Sequence, residues 1–214
     1  MFTGIIEEIG KVESIQSFSK GLQLTISAQR SAAELHINDS ISINGVCQTA
    51  IRRHESSFEV EAVEETLKKT TLNSLLINDS VNLELPMMLN ERLGGHLVLG
   101  HVDTVGHIMN IEPRESSWMF TLGIPEKFLQ YIVSVGSIAI DGVSLTVAEM
   151  HQNNIRVSII PHTMENTIFK YYKINDRVNL EFDIIGKYIE QLLKRNEIKG
   201  KSVFSEQYLR ESGY

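Results

Sequence analysis

Two histidines and a carboxylate lie close together near the middle of the chain. They are His96, His101 and Asp103, within the segment Gly-Gly-His-Leu-Val-Leu-Gly-His-Val-Asp. Imidazole and carboxylate groups bind Zn²⁺, so a metal site is one interpretation. On a strand, however, residues 96 and 101 point to opposite faces because their spacing is odd, and no cluster of Cys or Glu completes a ligand set. We therefore predict no metal, with His96 structural and His101 functional or structural.

The chain has one cysteine, Cys47, which directly follows a turn sequence. A lone cysteine is usually a small buried hydrophobic residue. It would act as a protease-type nucleophile only with His101 or His162 as base and a third group to orient that base, and no nucleophile signature accompanies it. Its counterpart in an internal repeat is Ser144, another nucleophile-type side chain. That pairing predicts two related pockets with different polar groups.

Three glutamates, Glu61, Glu64 and Glu65, form either an acid–base cluster or a solvated strand end. The second half of the chain has no carboxylate at the three equivalent positions, so the two halves cannot share a catalytic carboxylate there. The sequence also contains no phosphate-binding glycine loop, dinucleotide fingerprint, kinase motif or hydrolase elbow. From the residues alone, the ligand stays open.

An internal repeat determines where these residues lie. Four pairs of segments align in the same order in both halves: 4–12 with 100–108, 40–50 with 137–147, 58–66 with 155–163, and 77–84 with 174–181. Three pairs share one offset and the first pair differs from it by one residue. Order and spacing both agree, so we predict two homologous domains, 1–93 and 94–183.

Short strands bounded by turn residues dominate each half. The segments 40–43, 58–63 and 81–85 are predicted strands, and 66–76 and 163–172 are predicted to hold a short helical turn. Asn-Gly at 44–45 and Asp-Gly at 141–142 are typical of tight turns, because both central residues tolerate positive φ. Many short strands in about 90 residues predict a small closed barrel or a sandwich.

A C-terminal stretch breaks the repeat and has the apolar spacing of a helix. We call its apolar residues the C-terminal stripe: Ile185, Tyr188, Ile189, Leu192 and Leu193. The predicted helix covers 184–199, with Asp183 as its N-cap and Gly200 beyond its end. It packs either on its own barrel or against another copy of the chain. The polar tail, 200–214, is predicted to be mobile.

Composition excludes several classes of protein. Hydrophobic residues make up 42% and charged residues 22%, as in ordinary globular domains. The net charge of −7 without a basic block argues against nucleic acid or an anionic membrane as the main partner. One cysteine excludes a disulfide framework and suits a reducing compartment. The start lacks a basic region and the most apolar stretch, 128–140, is too short to span a bilayer, so we expect a soluble cytoplasmic protein.

Several motifs resemble the riboflavin synthase alpha-chain family. They are Met-Phe-Thr-Gly-Ile-Ile-Glu-Glu at the start, Asn-Gly-Val-Cys and Asp-Gly-Val-Ser-Leu-Thr-Val in the two halves, Gly-Gly-His-Leu-Val-x-Gly-His-Val-Asp, and Ile-Pro-His-Thr-x-x-x-Thr. The resemblance covers about residues 1–195. It implies an all-β fold of two tandem six-stranded Greek-key β-barrels plus a C-terminal α-helix that joins a homotrimer.

The activity that the resemblance implies is a dismutation. Two molecules of 6,7-dimethyl-8-ribityllumazine become riboflavin and 5-amino-6-ribitylamino-pyrimidinedione by four-carbon transfer. No metal or organic cofactor is implied, and lumazine synthase is a candidate partner. Duplicated barrels would bind the same molecule twice, and differences at Cys47/Ser144 and Ile5/His101 would make the two roles unequal. Positioning two reactive rings face to face would supply much of the acceleration, with modest proton transfer by side chains.

The resemblance also implies site residues. In the first barrel the expected ligand contacts are Gly4, Ile5, Ile6, Cys47, Gln48, Thr49, Glu61, Ala62, Val63, Glu64, Glu65 and Thr66. In the second barrel they are Gly100, His101, Val102, Ser144, Leu145, Thr146, Ser158, Ile159, Ile160, Pro161, His162 and Thr163. The residues expected at the catalytic centre are Cys47, His101, Ser144, Thr146 and Asp183. Backbone groups are expected to bind the pyrimidine edge, and hydroxyl and glutamate side chains the ribityl chain.

The main alternative is a non-catalytic lumazine- or flavin-binding paralogue. Such a protein would be expected to lose catalytic groups, usually from the second barrel, whereas His101, Ser144 and Thr146 are all present. A flavin-dependent oxidoreductase is a weaker alternative because no partner domain for nicotinamide is visible. The chain departs from the family's usual residues at Gln48, Ala50, Leu85, Leu99 and Thr104. These departures concern the fine shape of the pockets.

Overall fold

The computed structural model describes residues 1–198, which form two closed antiparallel β-barrels. The strands of the first barrel are β1 (Glu8–Phe18), β2 (Gly21–Ser27), β3 (Ser40–Ile43), β4 (Val46–Arg53), β5 (Ser57–Ala62) and β6 (Ser80–Glu84). Those of the second are β7 (Thr104–Pro113), β8 (Trp118–Gly123), β9 (Ser137–Ile140), β10 (Val143–His151), β11 (Asn154–Ile159) and β12 (Arg177–Phe182). Both barrels follow the order first, second, fifth, fourth, third, sixth, and the sixth strand closes on the first. The predicted pair of six-stranded Greek-key barrels is confirmed.

Tight turns occupy the two predicted positions. Asn44 and Gly45 have φ values of 48° and 74°, and Asp141 and Gly142 have 43° and 81°. Positive φ at both central residues matches the right-handed twist of the flanking strands. The predicted strand at 40–43 is confirmed without a shift, and the two strands predicted at 58–63 and 81–85 begin one residue earlier than expected.

The connections contain short helices. They are α1 (Gln29–Glu34), α2 (Glu64–Lys69), α3 (Pro161–Asn166) and 3₁₀ segments at Thr71–Ser74, Glu126–Tyr131 and Ile168–Tyr171. Thr70 and Thr167 begin two equivalent 3₁₀ segments, because each hydroxyl accepts a backbone N–H two residues later at 3.3 Å. The predicted helical turns are confirmed, since the 3₁₀ segments Thr71–Ser74 and Ile168–Tyr171 lie inside the stretches 66–76 and 163–172. The helices α2 and α3 begin two residues before these stretches.

Inward- and outward-facing side chains alternate along the strands, and this alternation decides which of them can reach a ligand. On β4, Val46, Gln48 and Ala50 are buried in the barrel, whereas Cys47 is half-buried and Thr49 is exposed on the outer face. The equivalent strand β10 has the same pattern. Since successive side chains of a strand point to opposite faces, the nucleophile-type residues of both barrels lie on the outside.

The two barrels meet through matched pairs of hydrogen bonds. Asn82 on β6 donates from its side chain to the carbonyl of Asp141 at 2.9 Å, and Asn179 on β12 donates to the carbonyl of Asn44 at 2.8 Å. The side-chain oxygen of each asparagine accepts a backbone N–H from the other barrel's 3₁₀ segment at 2.8 Å. Both asparagines and both turn residues, Asp141 and Asn44, are buried. The barrel–barrel contact is therefore specific and fixes the two halves in one arrangement.

A final helix, α4 (Ile184–Ile198), follows the second barrel. The predicted N-cap is confirmed, since the Asp183 carboxylate accepts the N–H of Ile185 at 2.9 Å. Lys187 ties the helix to the barrel through an ion pair of 2.5 Å with Asp103. The five residues of the C-terminal stripe are 53–66% exposed, so the stripe does not pack on its own barrel.

Residue 199 of the predicted helix, Gly200 and the tail predicted over 200–214 lie outside the described residues. Within residues 1–198, no helix has the length and hydropathy needed to cross a bilayer.

Candidate active site

Two short segments link the barrels near the predicted site. We call residues 2–6 the N-terminal crossing segment and residues 98–102 the linker crossing segment. They pair with each other through Phe2 and Val98, whose backbone groups exchange hydrogen bonds of 2.7 and 3.1 Å. Phe2 and Val98 are fully buried and form a small cluster with Ala139. The crossing segments are therefore anchored at the barrel–barrel interface.

Each crossing segment also docks on a strand that carries a predicted catalytic residue. The carbonyl of Gly4 accepts the N–H of Ser144 at 2.8 Å, and the carbonyl of Gly100 accepts the N–H of Cys47 at 2.9 Å. Both glycines have φ of +79°, and a Cβ on either would lie 2.5 Å from the Cβ of its partner. Only glycine combines this backbone conformation with so close an approach.

This docking corrects the predicted composition of the two pockets. The family resemblance implied that 4–6 belongs to the first barrel's pocket and 100–102 to the second barrel's pocket. The structure exchanges them, because Ile6 packs against the core of the second barrel and Val102 against that of the first. Aligning the two halves identifies equivalent segments, but it does not show which barrel a segment packs on.

We call the surface around Cys47 the first pocket. Cys47 and Thr49 face outward on β4, and the linker crossing segment adds His101, which is exposed. The predicted contacts at 61–66 lie at the end of β5, the strand that pairs with β4, and in the first turn of α2. The structure thus places the backbone of the linker crossing segment, which carries His101, against Cys47.

The second pocket surrounds Ser144 and Thr146, which face outward on β10. The N-terminal crossing segment adds Ile5, and the predicted contacts at 158–163 lie at the end of β11 and the start of α3. His96 reaches the same place, with its Nδ1 2.7 Å from the Ser144 hydroxyl oxygen. His96 was predicted to be structural, so sequence reasoning missed its contact with a nucleophile-type side chain.

His96 is placed to exchange a proton with Ser144. It is 8% exposed, and its Nε2 is buried without a hydrogen-bond partner among the described residues. Burial lowers the pKa of His96, and the Asp183 carboxylate opposes that shift. A neutral imidazole can accept the hydroxyl proton, and the carboxylate would then stabilise the imidazolium. Among residues 1–198, Cys47 has no hydrogen bond to an imidazole, so no cysteine–histidine pair of the protease type forms.

Four predicted contacts lie on inward-facing positions: Gln48, Ala62, Leu145 and Ile159. Their side chains are buried in the barrel interiors because the strands alternate. The Gln48 amide nitrogen donates to the Cys47 carbonyl at 2.7 Å, and its oxygen is buried without a partner. At these positions only the backbone can contact a ligand.

The three glutamates of the first barrel are solvated. Glu64 pairs with Lys68 at 2.8 Å and with Lys20 at 3.5 Å, Glu65 pairs with Lys68 at 3.4 Å, and Glu61 is exposed. Exposed pairs of this kind contribute little to stability. The arrangement favours the interpretation as a solvated strand end over an acid–base cluster.

Both pockets are open on the isolated chain. Thr49, Val63, His101, Thr146 and Ile160 are exposed. A cleft of about 580 Å³ lies between the barrels, but no predicted site residue lines it. Within the described residues, no group of three or more His, Cys, Asp or Glu side chains is placed to hold a metal ion. The pockets are therefore shallow surfaces equipped with hydroxyl, thiol and imidazole groups.

Comparisons with known proteins agree with this duplicated architecture. The family model described as "Lumazine binding domain" matches residues 3–86 and again 99–183. Riboflavin synthase of Actinobacillus pleuropneumoniae is 44% identical, and that of Bacillus subtilis (strain 168) is 40% identical, over 100% of both chains in each case. Crystal structures of LumP complexed with riboflavin and with 6,7-dimethyl-8-(1'-D-ribityl) lumazine superpose with TM-scores of 0.79 and 0.77. They share 22% and 21% identity and cover 85% of this chain and 99% of theirs.

Proposed function

The chain belongs to the riboflavin synthase family, and we propose that it converts two 6,7-dimethyl-8-ribityllumazine molecules into riboflavin and 5-amino-6-ribitylamino-pyrimidinedione. One molecule loses four carbons and the other gains them, so the atoms balance without an external oxidant or cofactor. The observation that carries the proposal is the pair of equivalent outward-facing pockets around Cys47 and Ser144. A reaction between two copies of one molecule needs two similar sites that treat them differently.

The second pocket supplies a proton-transfer pair. The C7 methyl group of the lumazine is acidic because the ring is electron-poor, so its deprotonation gives a carbon nucleophile. We assign the proton movement in this pocket to Ser144 and His96, whose hydroxyl and imidazole are in hydrogen-bond contact at 2.7 Å. Asp183 lies near enough to favour the charged imidazole. The first pocket offers a different set, Cys47 with His101 on the linker crossing segment.

A second copy of the chain would complete each pocket. Both pockets are shallow and exposed in one chain, and the C-terminal stripe is left uncovered beside the second barrel. We propose a homotrimer in which α4 helices pack together and the first pocket of one subunit faces the second pocket of its neighbour. Two rings held face to face would react at the high effective concentration that positioning provides.

The stripe makes the assembly testable. Burying the exposed half of one such apolar side chain is worth about 1 kcal/mol, and each residue counts in all three subunits. Changing Leu192 and Leu193 to Asp should therefore dissociate the trimer while both barrels stay folded. Gln191→Asp adds charge to an exposed polar position of the same helix and serves as the control. Sedimentation and turnover are measured on the same samples, and a monomeric double variant with full turnover at low concentration would contradict the intersubunit site.

The reaction itself is tested with purified protein and the lumazine alone. Riboflavin absorbance should grow without added cofactor and in the presence of EDTA. Binding without turnover would instead favour the non-catalytic paralogue, and loss of turnover in EDTA would contradict the metal-free mechanism.

Complementation tests whether the reaction crosses subunits. Thr49→Trp should block the first pocket and Thr146→Trp the second, because both side chains are exposed on the outer face of their barrel. Neither variant should turn over alone. Trimers reassembled from an equal mixture should recover about a quarter of native activity, since an interface works only when each side contributes its intact pocket. No recovery in mixed trimers would place the reaction within one subunit. A cytoplasmic location and association with lumazine synthase stay predictions.

A further inference from the structure

Two buried glutamates hold the crossing segments. Glu84 lies at the end of β6 and Glu181 at the equivalent position of β12, and they are 2% and 3% exposed. The Glu84 carboxylate accepts the N–H of Thr3 at 2.6 Å, its hydroxyl at 2.7 Å, and the N–H of Gly4 at 3.0 Å. Several donors therefore converge on one carboxylate, which makes charge-assisted hydrogen bonds to backbone groups.

Glu181 repeats this arrangement on the other segment. Its carboxylate accepts the N–H of Leu99 at 2.7 Å and that of Gly100 at 2.9 Å. In both cases the held glycine is the residue whose carbonyl bonds to the pocket strand of the opposite barrel. A continuous chain of contacts thus runs from Glu84 through Gly4 to Ser144, and another from Glu181 to Cys47.

A buried carboxylate is an expensive way to satisfy backbone N–H groups. Desolvation raises the pKa of Glu84 to about 7 and also raises that of Glu181, against the opposing hydrogen bonds. Two equivalent sites bear this cost, and both hold segments that lead directly to pocket residues. Phe2 and Val98 pair the same two segments without either glutamate.

We infer that Glu84 and Glu181 are positioning residues for the proposed reaction, each setting the pocket of the opposite barrel: Glu84 the second pocket and Glu181 the first. The inference rests on the proposed function. Neither side chain touches the reacting molecules. Each fixes a glycine whose neighbours, Ile5 or His101, line a pocket, and a displacement of that segment changes the geometry of one pocket and not of the other.

The test is a pair of double-mutant cycles on kcat/KM for riboflavin formation. Glu84→Ala and Glu181→Ala should each lower kcat/KM by about 10- to 100-fold, as expected for losing charge-assisted hydrogen bonds. Combined with Ser144→Ala, Glu84→Ala should cost much less than the product of the two single effects. Combined with Cys47→Ala, it should give the full product, because the two changes then affect different pockets.

Glu181→Ala should show the reverse pattern, with coupling to Cys47 and additivity with Ser144. Glu84→Gln keeps one acceptor oxygen within reach of the N–H groups of Thr3 and Gly4, at 2.6 and 3.1 Å in the native chain, and should restore kcat/KM to within about threefold. This variant also covers the case in which the alanine variant folds poorly. Glu59→Gln is the matched control, since Glu59 is a buried carboxylate that pairs with Arg52 and holds no crossing segment.

Different outcomes would show failure of the proposed function and failure of the positioning role of Glu84 and Glu181. If the unaltered chain makes no riboflavin, the proposed function fails. If it does, equal coupling of Glu84 to Ser144 and Cys47 overturns the inference, and so does an activity loss that follows the loss of thermal stability in every variant, including Glu59→Gln.

Discussion

Replacing Asp141 with Asn should stabilise the protein at pH 8 and much less at pH 5. Asp141 is 1% exposed; its carboxylate accepts the N–H of Asn179 at 3.0 Å and the hydroxyl of Tyr172 at 2.5 Å. The first barrel has an asparagine, Asn44, at the equivalent turn, where its side-chain oxygen accepts the N–H of Asn82 at 2.7 Å. The backbone hydrogen bond at this turn therefore needs an oxygen acceptor and no charge.

The size of the expected change in stability follows from the raised pKa of the buried Asp141 carboxyl. Burial raises the pKa of Asp141 from 3.8 to about 7. The folded state therefore binds the Asp141 proton more tightly than the unfolded state does. The resulting contribution to the free energy of unfolding is complete below pH 3.8 and is lost as the pH rises through 7. Between pH 5 and pH 8 that loss is roughly 2.5 kcal/mol. Asparagine does not ionise, and its amide can donate to the Tyr172 hydroxyl, so the variant should keep the stability that the native chain loses.

Urea denaturation at pH 5, 6, 7 and 8 measures the effect. A single protein concentration is used throughout, because association changes apparent stability. The free energy of unfolding of Asp141→Asn, relative to the native chain, should rise by about 2.5 kcal/mol across this range. Asn44→Asp is the reciprocal control: Leu75 replaces Tyr172 at the equivalent position, so the new carboxyl has no hydroxyl partner and the variant should lose stability as pH rises. A difference that does not change with pH would refute the assignment of a raised pKa to Asp141.

Two further predictions concern the second pocket. His96→Ala should lower kcat by about 100-fold while changing lumazine affinity little, because the Ser144 hydroxyl loses its proton partner but keeps its position; losses of equal size in rate and affinity would show that His96 only helps to bind. Gly4→Ala should lower the free energy of unfolding, measured by thermal denaturation, by roughly 2–4 kcal/mol, because φ is +79° and the new Cβ would lie 2.5 Å from the Ser144 Cβ. Gly94→Ala is its control, since there a Cβ would lie 3.3 Å from the flexible Ile5 side chain, and equal melting of the two variants would contradict the close approach.

The architecture was predictable because the relevant information is local and repeated. The turn pairs at 44–45 and 141–142 have residue types that tolerate positive φ, and the repeat offset fixes the equivalent strands in both halves. Asp183 as N-cap and the C-terminal stripe are also local patterns, readable from helical spacing. Each of these signals acts within about ten residues of chain, where propensity and periodicity are reliable.

The composition of the pockets was not predictable, because it depends on contacts between distant residues. His96 contacts Ser144, which lies 48 residues farther along the sequence, and no local pattern predicts that contact. The inward orientation of Gln48 was within reach of sequence reasoning, since Cys47 and Thr49 flank it on a strand and must face the other way. The exchange of the crossing segments was not, because equivalent segments in the two halves align equally well whichever barrel they pack on.

The exchange decides which side chains share a pocket. Had each segment stayed on its own barrel, Cys47 would have Ile5 beside it and Ser144 would have His101. With the exchange, the linker crossing segment that carries His101 lies against Cys47, while the N-terminal crossing segment that carries Ile5 lies against Ser144 and its hydrogen-bond partner His96. Neither barrel alone contains a complete pocket, since each lacks the segment that the other half provides. A duplicated fold can therefore keep two nearly identical cores while the residues that cross between them assign a different chemistry to each site.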